Sequence, residues 1–207
     1  RYALSMWKAI LLPKSRHSDV GSYLAAVKEV AKKDQWTILL CTGGFFAGAV
    51  FKQRECLAHR RIARYTTRRK QGGSQAARDA QGNRAIKSAG AHIRRTNEAK
   101  LREEIAETLA EWKTMIDGSH LIFLFAPSFN RHSFFYEGSP LNSNDPRIRS
   151  IPFTTRRPSF MEIKRIHELL STVEILVAPE PTKATEVTSK QVRICDFYEL
   201  IILLQRH

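Results

Sequence analysis

The chain has 207 residues, with 34 Lys and Arg against 20 Asp and Glu, a formal net charge of +14. This length suits one domain, or one domain with an appendage, and the 43% of apolar residues is ordinary for a globular protein. No run approaches the roughly 18 apolar residues of a membrane-spanning helix, so we expect no membrane insertion. Cys41, Cys56 and Cys195 form no CxxC pair, which favours a reducing compartment and hence a cytoplasmic location.

The charge excess is concentrated in one quarter of the chain. Between Lys52 and Arg102 there are 15 basic residues and three acids, a net charge of +12. Such a field attracts polyanions with a strong dependence on salt. RNA, DNA and an anionic membrane are the candidate partners, and a solvated basic face is the alternative. A membrane is disfavoured because the basic region contains no amphipathic helix.

The elements predicted for the first third of the chain are a strand, a helix and three further strands. Residues 2–12 are a candidate strand, and 18–33 carry the apolar stripe of a helix. Residues 36–41 (WTILLC) form a continuous apolar run, typical of a strand buried on both faces. Residues 45–51 predict a second strand, joined to the first by a hairpin through two glycines. A more polar third strand, 56–66, leads into the basic region.

The middle of the chain predicts a loop and a long helix. A helix is expected from about Ala76, interrupted by Gly82 and Gly90. The clearest helix is 97–116, whose apolar residues recur every three or four positions. These residues are Leu101, Ile105, Leu109, Trp112 and Ile116.

The remaining elements alternate between strands and helices. Residues 121–126 predict a buried strand, 127–146 a long surface loop, and 148–153 a short strand. Ser159 and Glu162 form a capping box that starts a helix with an apolar side running to Val173. A last strand is expected at 174–178, a linker at 179–190, and an apolar segment without an assigned role at 194–204.

This order predicts an α/β fold in which a mixed β-sheet is covered by helices. Four aromatic residues are expected in its core rather than on a stacking surface: Trp36, Trp112, Phe123 and Phe125. We predict one domain over 1–178 and a linker with a C-terminal segment of unknown role over 179–207.

A cationic strand end that runs into a glycine loop is the candidate site. The sequence from Ala63 to Gln75 reads ARYTTRRKQGGSQ. Gly72, Gly73 and Ser74 allow a sharp bend and a close backbone approach to a ligand. The neutral amide of Gln75 is a poor acid or base, but it can orient a hydroxyl or hydrogen-bond a phosphoryl oxygen. Taken alone, a Gly-Gly turn is more often a plain loop.

This run resembles the signature of the release-factor-like domain of the ankyrin-repeat and zinc-finger peptidyl-tRNA hydrolases. Further segments match in order: GGFFAGAVF at 43–51, SAGAHIRR at 88–95, and IPFTTRRPSF at 151–160. The matches span roughly 36–175, and they point to a fungal member.

The resemblance implies a fold similar to the middle domain of eukaryotic class I release factors. It implies release of nascent chains from peptidyl-tRNA on stalled large ribosomal subunits, by cutting the tRNA near its CCA end. Gln75 matches the catalytic glutamine of the family, although the loop here is one residue longer than GGQ. The family also binds a hexameric AAA segregase through regions outside this chain.

The residue chemistry is compatible with RNA cleavage without a metal or another cofactor, because RNA supplies its own 2′-hydroxyl nucleophile and arginines stabilise the phosphorus centre. Direct hydrolysis of the peptidyl ester and a non-catalytic module docking on ribosomal RNA remain alternatives. Seven residues are candidates for RNA contact: Arg64, Tyr65, Arg68, Arg69, Lys70, Arg94 and Arg95.

Four further residues have weaker claims. His59 precedes the loop and is either a general base or, more in keeping with its position on a strand, a structural hydrogen-bonding group. His92 is expected on the surface. Arg156 and Arg157 precede a helix, and they either support RNA or pair with acids.

Overall fold

The structure, a computed structural model, describes residues 2–12, 20–30, 32–67, 89–177 and 188–193. Its strands are β1 (Tyr2–Ser5), β2 (Gln35–Thr42), β3 (Phe45–Lys52), β4 (Glu55–Ala63), β5 (Leu121–Phe125), β6 (Ile148–Ser150), β7 (Thr172–Val177) and β8 (Thr188–Arg193). Its helices are α1 (Lys8–Leu11), α2 (Val20–Val30), α3 (Ala89–Glu111), α4 (Lys113–Asp117), α5 (Ser128–Arg131) and α6 (Phe160–Ser171).

A five-stranded sheet with the order β4-β3-β2-β5-β6 forms the centre of the fold. β2, β3 and β4 are antiparallel neighbours, whereas β5 pairs parallel to β2 and β6 parallel to β5. The predicted mixed sheet is therefore confirmed. β1, β7 and β8 form a second, antiparallel sheet of three strands.

Helices cover both faces of the five-stranded sheet, and this explains the continuous apolar run in β2. Ile38 and Leu40 pack with residues of α1, α2 and α6 on one face. Leu39 and Cys41 pack with residues of α3 and α4 on the other face. All four side chains are fully buried because neither face of the strand meets water.

The long helix begins earlier than the sequence predicts. α3 starts at Ala89, eight residues before the expected start, and Gly90 lies inside its first turn. The predicted interruption at Gly90 is wrong, because one glycine costs a helix only about 1 kcal/mol and the next residue, Ala91, packs into the protein interior. The helix expected from Ala76 and its interruption at Gly82 lie outside the described residues.

The segment at 127–146 is not simply a surface loop. It contains α5, and its Phe134 is completely buried, with its ring centroid 6.1 Å from that of Phe46. Leu141 is also buried in the same cluster. Polar turn-forming residues dominate the composition of this segment, but a few apolar side chains decide its position because burying each contributes roughly 1.5–3 kcal/mol.

Several predicted element bounds change. The strand expected over 2–12 ends at Ser5 and gives way to α1, whereas β4 ends at Ala63 rather than Thr66. The linker predicted over 179–190 is wrong for its last three residues, because β8 begins at Thr188 and pairs with β7. Residues 194–204 lie outside the described part, and the domain boundary at 178 stays a prediction. No helix in the described ranges is long and apolar enough to cross a bilayer.

Candidate nucleic-acid interface at the end of strand β4

Four residues that follow β4 and lead towards the predicted glycine loop form what we call the loop stalk, Arg64 to Thr67. The backbone N–H of Arg64 donates to the carbonyl of Gly44 at 2.8 Å. The side-chain amide of Asn97 in α3 donates to the carbonyl of Tyr65 at 2.9 Å. The stalk is therefore fastened at its backbone to the β2–β3 turn on one side and to α3 on the other.

An ion pair makes a third attachment of the stalk. Nε of Arg64 donates to Oε2 of Glu104 at 3.0 Å, and Nη2 of Arg64 bonds to Oε1, so the contact is bidentate. The hydrogen bond from Arg64 holds the pKa of the Glu104 carboxyl below its usual range, and the same bond raises the pKa of Arg64. A forked pair of this kind fixes orientation as well as charge.

An arginine within β4 is also bound to α3. Arg60 donates to Oγ1 of Thr108 at 3.2 Å and forms an ion pair with Glu111 at 2.7 Å. Arg60 therefore joins the edge strand to the helix beneath it, as Arg64 joins the stalk to the same helix. The predicted contact of Arg64 with RNA stays a prediction, while the structure gives this residue a positioning contact that the sequence did not reveal.

The turn between β2 and β3 is in close contact with the stalk. Gly44 has φ +85°, and a Cβ placed there would lie 2.3 Å from the carbonyl oxygen of Arg64 and 2.4 Å from Oγ1 of Thr66. Only glycine combines this left-handed backbone with so close an approach. The hairpin predicted through the two glycines is confirmed, and its second glycine also determines where the stalk lies.

A groove of about 530 Å³ lies beside the stalk. It is lined by the stalk residues together with Gly43, Phe45, Ala63 and Arg157. The guanidinium carbon of Arg157 lies 3.6 Å from the centroid of the Phe45 ring, a cation–π contact. Tyr65 also lines this groove, and the residue is 48% exposed.

Only some of the other residues predicted from the sequence belong to the described part of the chain. Arg68, Arg69, Lys70 and the four loop residues Gly72, Gly73, Ser74 and Gln75 lie outside the described residues. Arg94 and Arg95 are in the first two turns of α3, and His92 is exposed there as expected. Of the core aromatics, Trp36, Trp112 and Phe123 are buried and Phe125 is partly buried, which confirms that prediction.

His59 has a packing contact rather than an acid–base partner among the described residues. Its ring stacks on that of Phe160 with centroids 4.0 Å apart, and Nζ of Lys164 lies 4.6 Å from the same Phe160 ring. This stacking contact is structural, whereas the structural hydrogen bond expected for His59 from the sequence stays a prediction.

The described ranges contain no cluster of three His, Cys, Asp or Glu side chains arranged to hold a metal ion. The metal-free scheme therefore stays a prediction.

The sequence did not reveal the contacts that four residues make in this site: Gly44, Asn97, Glu104 and Arg157. Glu104 bonds a residue 40 positions earlier in the chain, and no local pattern signals such a pair. The only available signal for Gly44 was its position in the turn. Arg157 was noticed, but its stacking partner belongs to a strand more than a hundred residues away.

A family model described as Bacteroidetes VLRF1 release factor matches residues 36–178, and the chain belongs to this family. A solved structure titled "Vms1 mitochondrial localization core" has the same fold, with a TM-score of 0.57 and 21% identity over 86% of this chain and 73% of that one.

Curated relatives are similar over the same region. The chain is 41% identical over 143 residues to the "tRNA endonuclease ANKZF1" of Mus musculus, which covers 68% of this chain and 19% of that protein. It is 39% identical over 180 residues to the "tRNA endonuclease vms-1" of Caenorhabditis elegans, covering 80% of this chain and 29% of the relative. It is 35% identical over 173 residues to the "tRNA endonuclease VMS1" of Saccharomyces cerevisiae, covering 74% of this chain and 27% of the relative.

Three consequences follow from these similarities. The chain spans about a fifth to three tenths of the length of the curated relatives it matches. The expected fungal origin has no support, because identity to the animal relatives is at least as high as identity to the yeast one. The expected release-factor-like family is confirmed.

Proposed function

We propose that this chain releases nascent chains from peptidyl-tRNA on stalled large ribosomal subunits by cutting the tRNA near its 3′ CCA end. The names of the relatives, all tRNA endonucleases, support the reaction, and the match to a release-factor family supports the setting. The matched region contains both the loop stalk and the run that ends at Gln75. Cytoplasmic location and the AAA segregase partner, reached through regions outside this chain, belong to the same proposal.

The observation that carries the proposal is the attachment of the loop stalk. Three groups of the stalk are held: Gly44 accepts from the Arg64 N–H, Glu104 accepts from the Arg64 guanidinium, and Asn97 donates to the Tyr65 carbonyl. The run predicted to carry the chemistry continues directly from this anchored segment. Catalysis by positioning needs such support, because a displacement of about 1 Å can cost a reaction roughly a hundredfold in rate.

The proposed reaction is a transesterification within the tRNA. The 2′-oxygen of one nucleotide bonds to the adjacent phosphorus and gives its proton to solvent, while the bond from phosphorus to the 5′-oxygen of the next nucleotide breaks. That 5′-oxygen takes up a proton. The products are a shortened tRNA with a 2′,3′-cyclic phosphate and a peptidyl fragment with a 5′-hydroxyl.

This chain contributes groups that align and stabilise rather than a strong base. The amide of Gln75 orients the 2′-hydroxyl or holds a non-bridging oxygen, and loop arginines balance the charge that develops at phosphorus. The scheme requires no metal ion and no organic cofactor.

The test uses stalled large subunits that carry labelled peptidyl-tRNA. The parent chain should release the peptide and shorten the tRNA, and Gln75→Ala should abolish release while ribosome binding is retained. Gln71→Ala is the matched control, because it removes a glutamine amide from the same run and should retain release.

Three other results would contradict the proposal in distinguishable ways. Release with an intact CCA end would show ester hydrolysis instead of cleavage. Binding without release, unchanged in Gln75→Ala, would show a docking module. Equal loss in Gln75→Ala and Gln71→Ala would remove the special role of Gln75.

A further inference from the structure

The groove beside the loop stalk has the composition of a nucleotide site. We propose that it binds one unpaired RNA nucleotide, with Arg157 on the phosphodiester and Tyr65 on the base. The inference rests on the proposed function in one respect, since it takes the RNA to be the single-stranded 3′ end of tRNA. Among the described residues, the groove is lined by two arginines, two threonines and two aromatic residues and by no carboxylate.

The positive charge of Arg157 remains available to a ligand. Arg60, Arg64 and Arg165 each form an ion pair with a glutamate. Over the ranges that the structure covers, no carboxylate pairs with Arg157, which is exposed and lies over the Phe45 ring instead. A guanidinium stacked in this way keeps its N–H groups directed outward in its own plane, the geometry that suits a phosphate.

Tyr65 presents an aromatic face from a fixed backbone. The Asn97 amide donates to its carbonyl at 2.9 Å, and Tyr65, which lines the groove, is about half exposed. Stacking of a base on such a ring contributes a factor of roughly five to a hundred in affinity and tolerates any base. An unpaired base offers a free face for this contact, whereas a base within a duplex is already stacked on its neighbours.

The size and the remaining walls of the groove agree with a nucleotide. Its volume of about 530 Å³ lies within the range of small-ligand sites, about 300–1,000 Å³. Thr66 and Thr67 add hydroxyl groups that can donate to or accept from a ribose. A phosphate, a sugar and a base therefore each find a matching group within one groove.

The experiment measures binding of two labelled RNA hairpins to the 207-residue chain. One hairpin carries an unpaired four-nucleotide 3′ overhang, and the other has the same stem with a blunt end. All variants are made in the Gln75→Ala chain, so that cleavage does not interfere, and fluorescence anisotropy gives the dissociation constants. Melting temperatures check that each variant is folded.

Arg157→Ala should weaken binding of the overhang hairpin by about tenfold, as expected for one charge-assisted contact. The affinity of Arg157→Lys should lie between those of the parent and Arg157→Ala. Arg156→Ala is the control, because it removes the same charge from the neighbouring exposed residue while the Arg156 backbone N–H still reaches Glu162. It should change the affinity less than twofold or so.

Tyr65 is tested with its own pair of variants. Tyr65→Ala should also lose about tenfold, whereas Tyr65→Phe keeps the ring and should bind as the parent does. The blunt hairpin should not distinguish any of the variants from the parent.

The inference is overturned if the parent binds the two hairpins equally, or if Arg157→Ala and Arg156→Ala lose the same affinity. The first result would show a general attraction to polyanions, and the second a simple effect of net charge. These outcomes are independent of the proposed function. Overhang binding that depends on Arg157 and Tyr65 in a chain that releases no peptide would support the groove and contradict the cleavage.

Discussion

Replacing Gly44 with alanine tests whether the β2–β3 turn positions the loop stalk. The new Cβ would lie 2.3 Å from the Arg64 carbonyl oxygen, and ordinary contact begins at 3.4 Å. The stalk or the turn must therefore move by about 1 Å. Overpacking of this kind costs about 1–3 kcal/mol, in addition to about 1 kcal/mol for alanine in the left-handed conformation.

Gly138 provides a matched control for the backbone cost. It has φ +84°, against +85° for Gly44, but nothing lies within 4 Å of its Cβ position. Gly138→Ala therefore carries the same conformational cost and the same change in the unfolded chain without the contact. Urea unfolding should show Gly44→Ala to be less stable than Gly138→Ala by about 1–3 kcal/mol.

Activity should separate the two variants further. Under conditions where both are folded, Gly44→Ala should slow tRNA cleavage by about a hundredfold, because the stalk is displaced by about 1 Å. Gly138→Ala should cleave at the parental rate. If both variants lose equal stability and equal activity, the contact between the turn and the stalk does not position the site, and the reasoning is refuted.

Three further predictions concern the surrounding structure. Glu104→Gln should slow cleavage, and it should flatten the pH dependence of stability. The hydrogen bond from Arg64 depresses the pKa of Glu104 in the folded state, so the ionised Glu104 stabilises the fold fully above its unfolded pKa of about 4.3. This stabilisation is lost as the pH falls through the folded pKa, as acid titration of unfolding would show. Burial raises the pKa of the Cys41 thiol to about 12, so at pH 8 an alkylating reagent should modify Cys41 only after unfolding. Rapid modification of the native chain, detected by peptide mass spectrometry, would contradict this. Ser159→Ala should cost about 1 kcal/mol in thermal or urea unfolding, because the Ser159 hydroxyl accepts the Glu162 N–H at 3.2 Å at the start of α6; an unchanged midpoint would show that this cap is not stabilising.

Local patterns were sufficient to predict most elements of the central sheet. The apolar run of β2 predicted burial on both faces, and the two glycines after it predicted the hairpin to β3. The Ser159 half of the capping box was confirmed, whereas the Glu162 carboxylate accepts from the Arg156 N–H at 2.9 Å and pairs with Arg165. Each successful prediction depended on residues only a few positions apart.

Predictions failed where distant packing decides the structure. Gly90 was expected to interrupt a helix, but it lies inside α3, because later residues of this helix, from Leu101 on, pack against the sheet. Phe134 was assigned to a surface loop, although the partner that buries it, Phe46, is almost ninety residues earlier. Propensity and spacing contain no information about such partners.

In the candidate site, too, local patterns were visible in the sequence and distant contacts were not. The glycine loop and its basic neighbours were visible as a contiguous run, and the family resemblance identified the run. The groups that hold the stalk were not visible, because Glu104 and Asn97 lie 40 and 32 positions after the residues they bond. The sequence therefore predicted a segment for the proposed chemistry, and the structure shows how the stalk that precedes this segment is held.

The most direct test of the central claim is the chemical nature of the new tRNA end. Mass spectrometry of tRNA recovered from stalled large subunits after a single turnover should find a tRNA shortened near its CCA end and terminated by a 2′,3′-cyclic phosphate. The Gln75→Ala chain should leave the tRNA intact. Full-length tRNA ending in a free CCA terminus, accompanied by released peptide, would contradict cleavage by this chain.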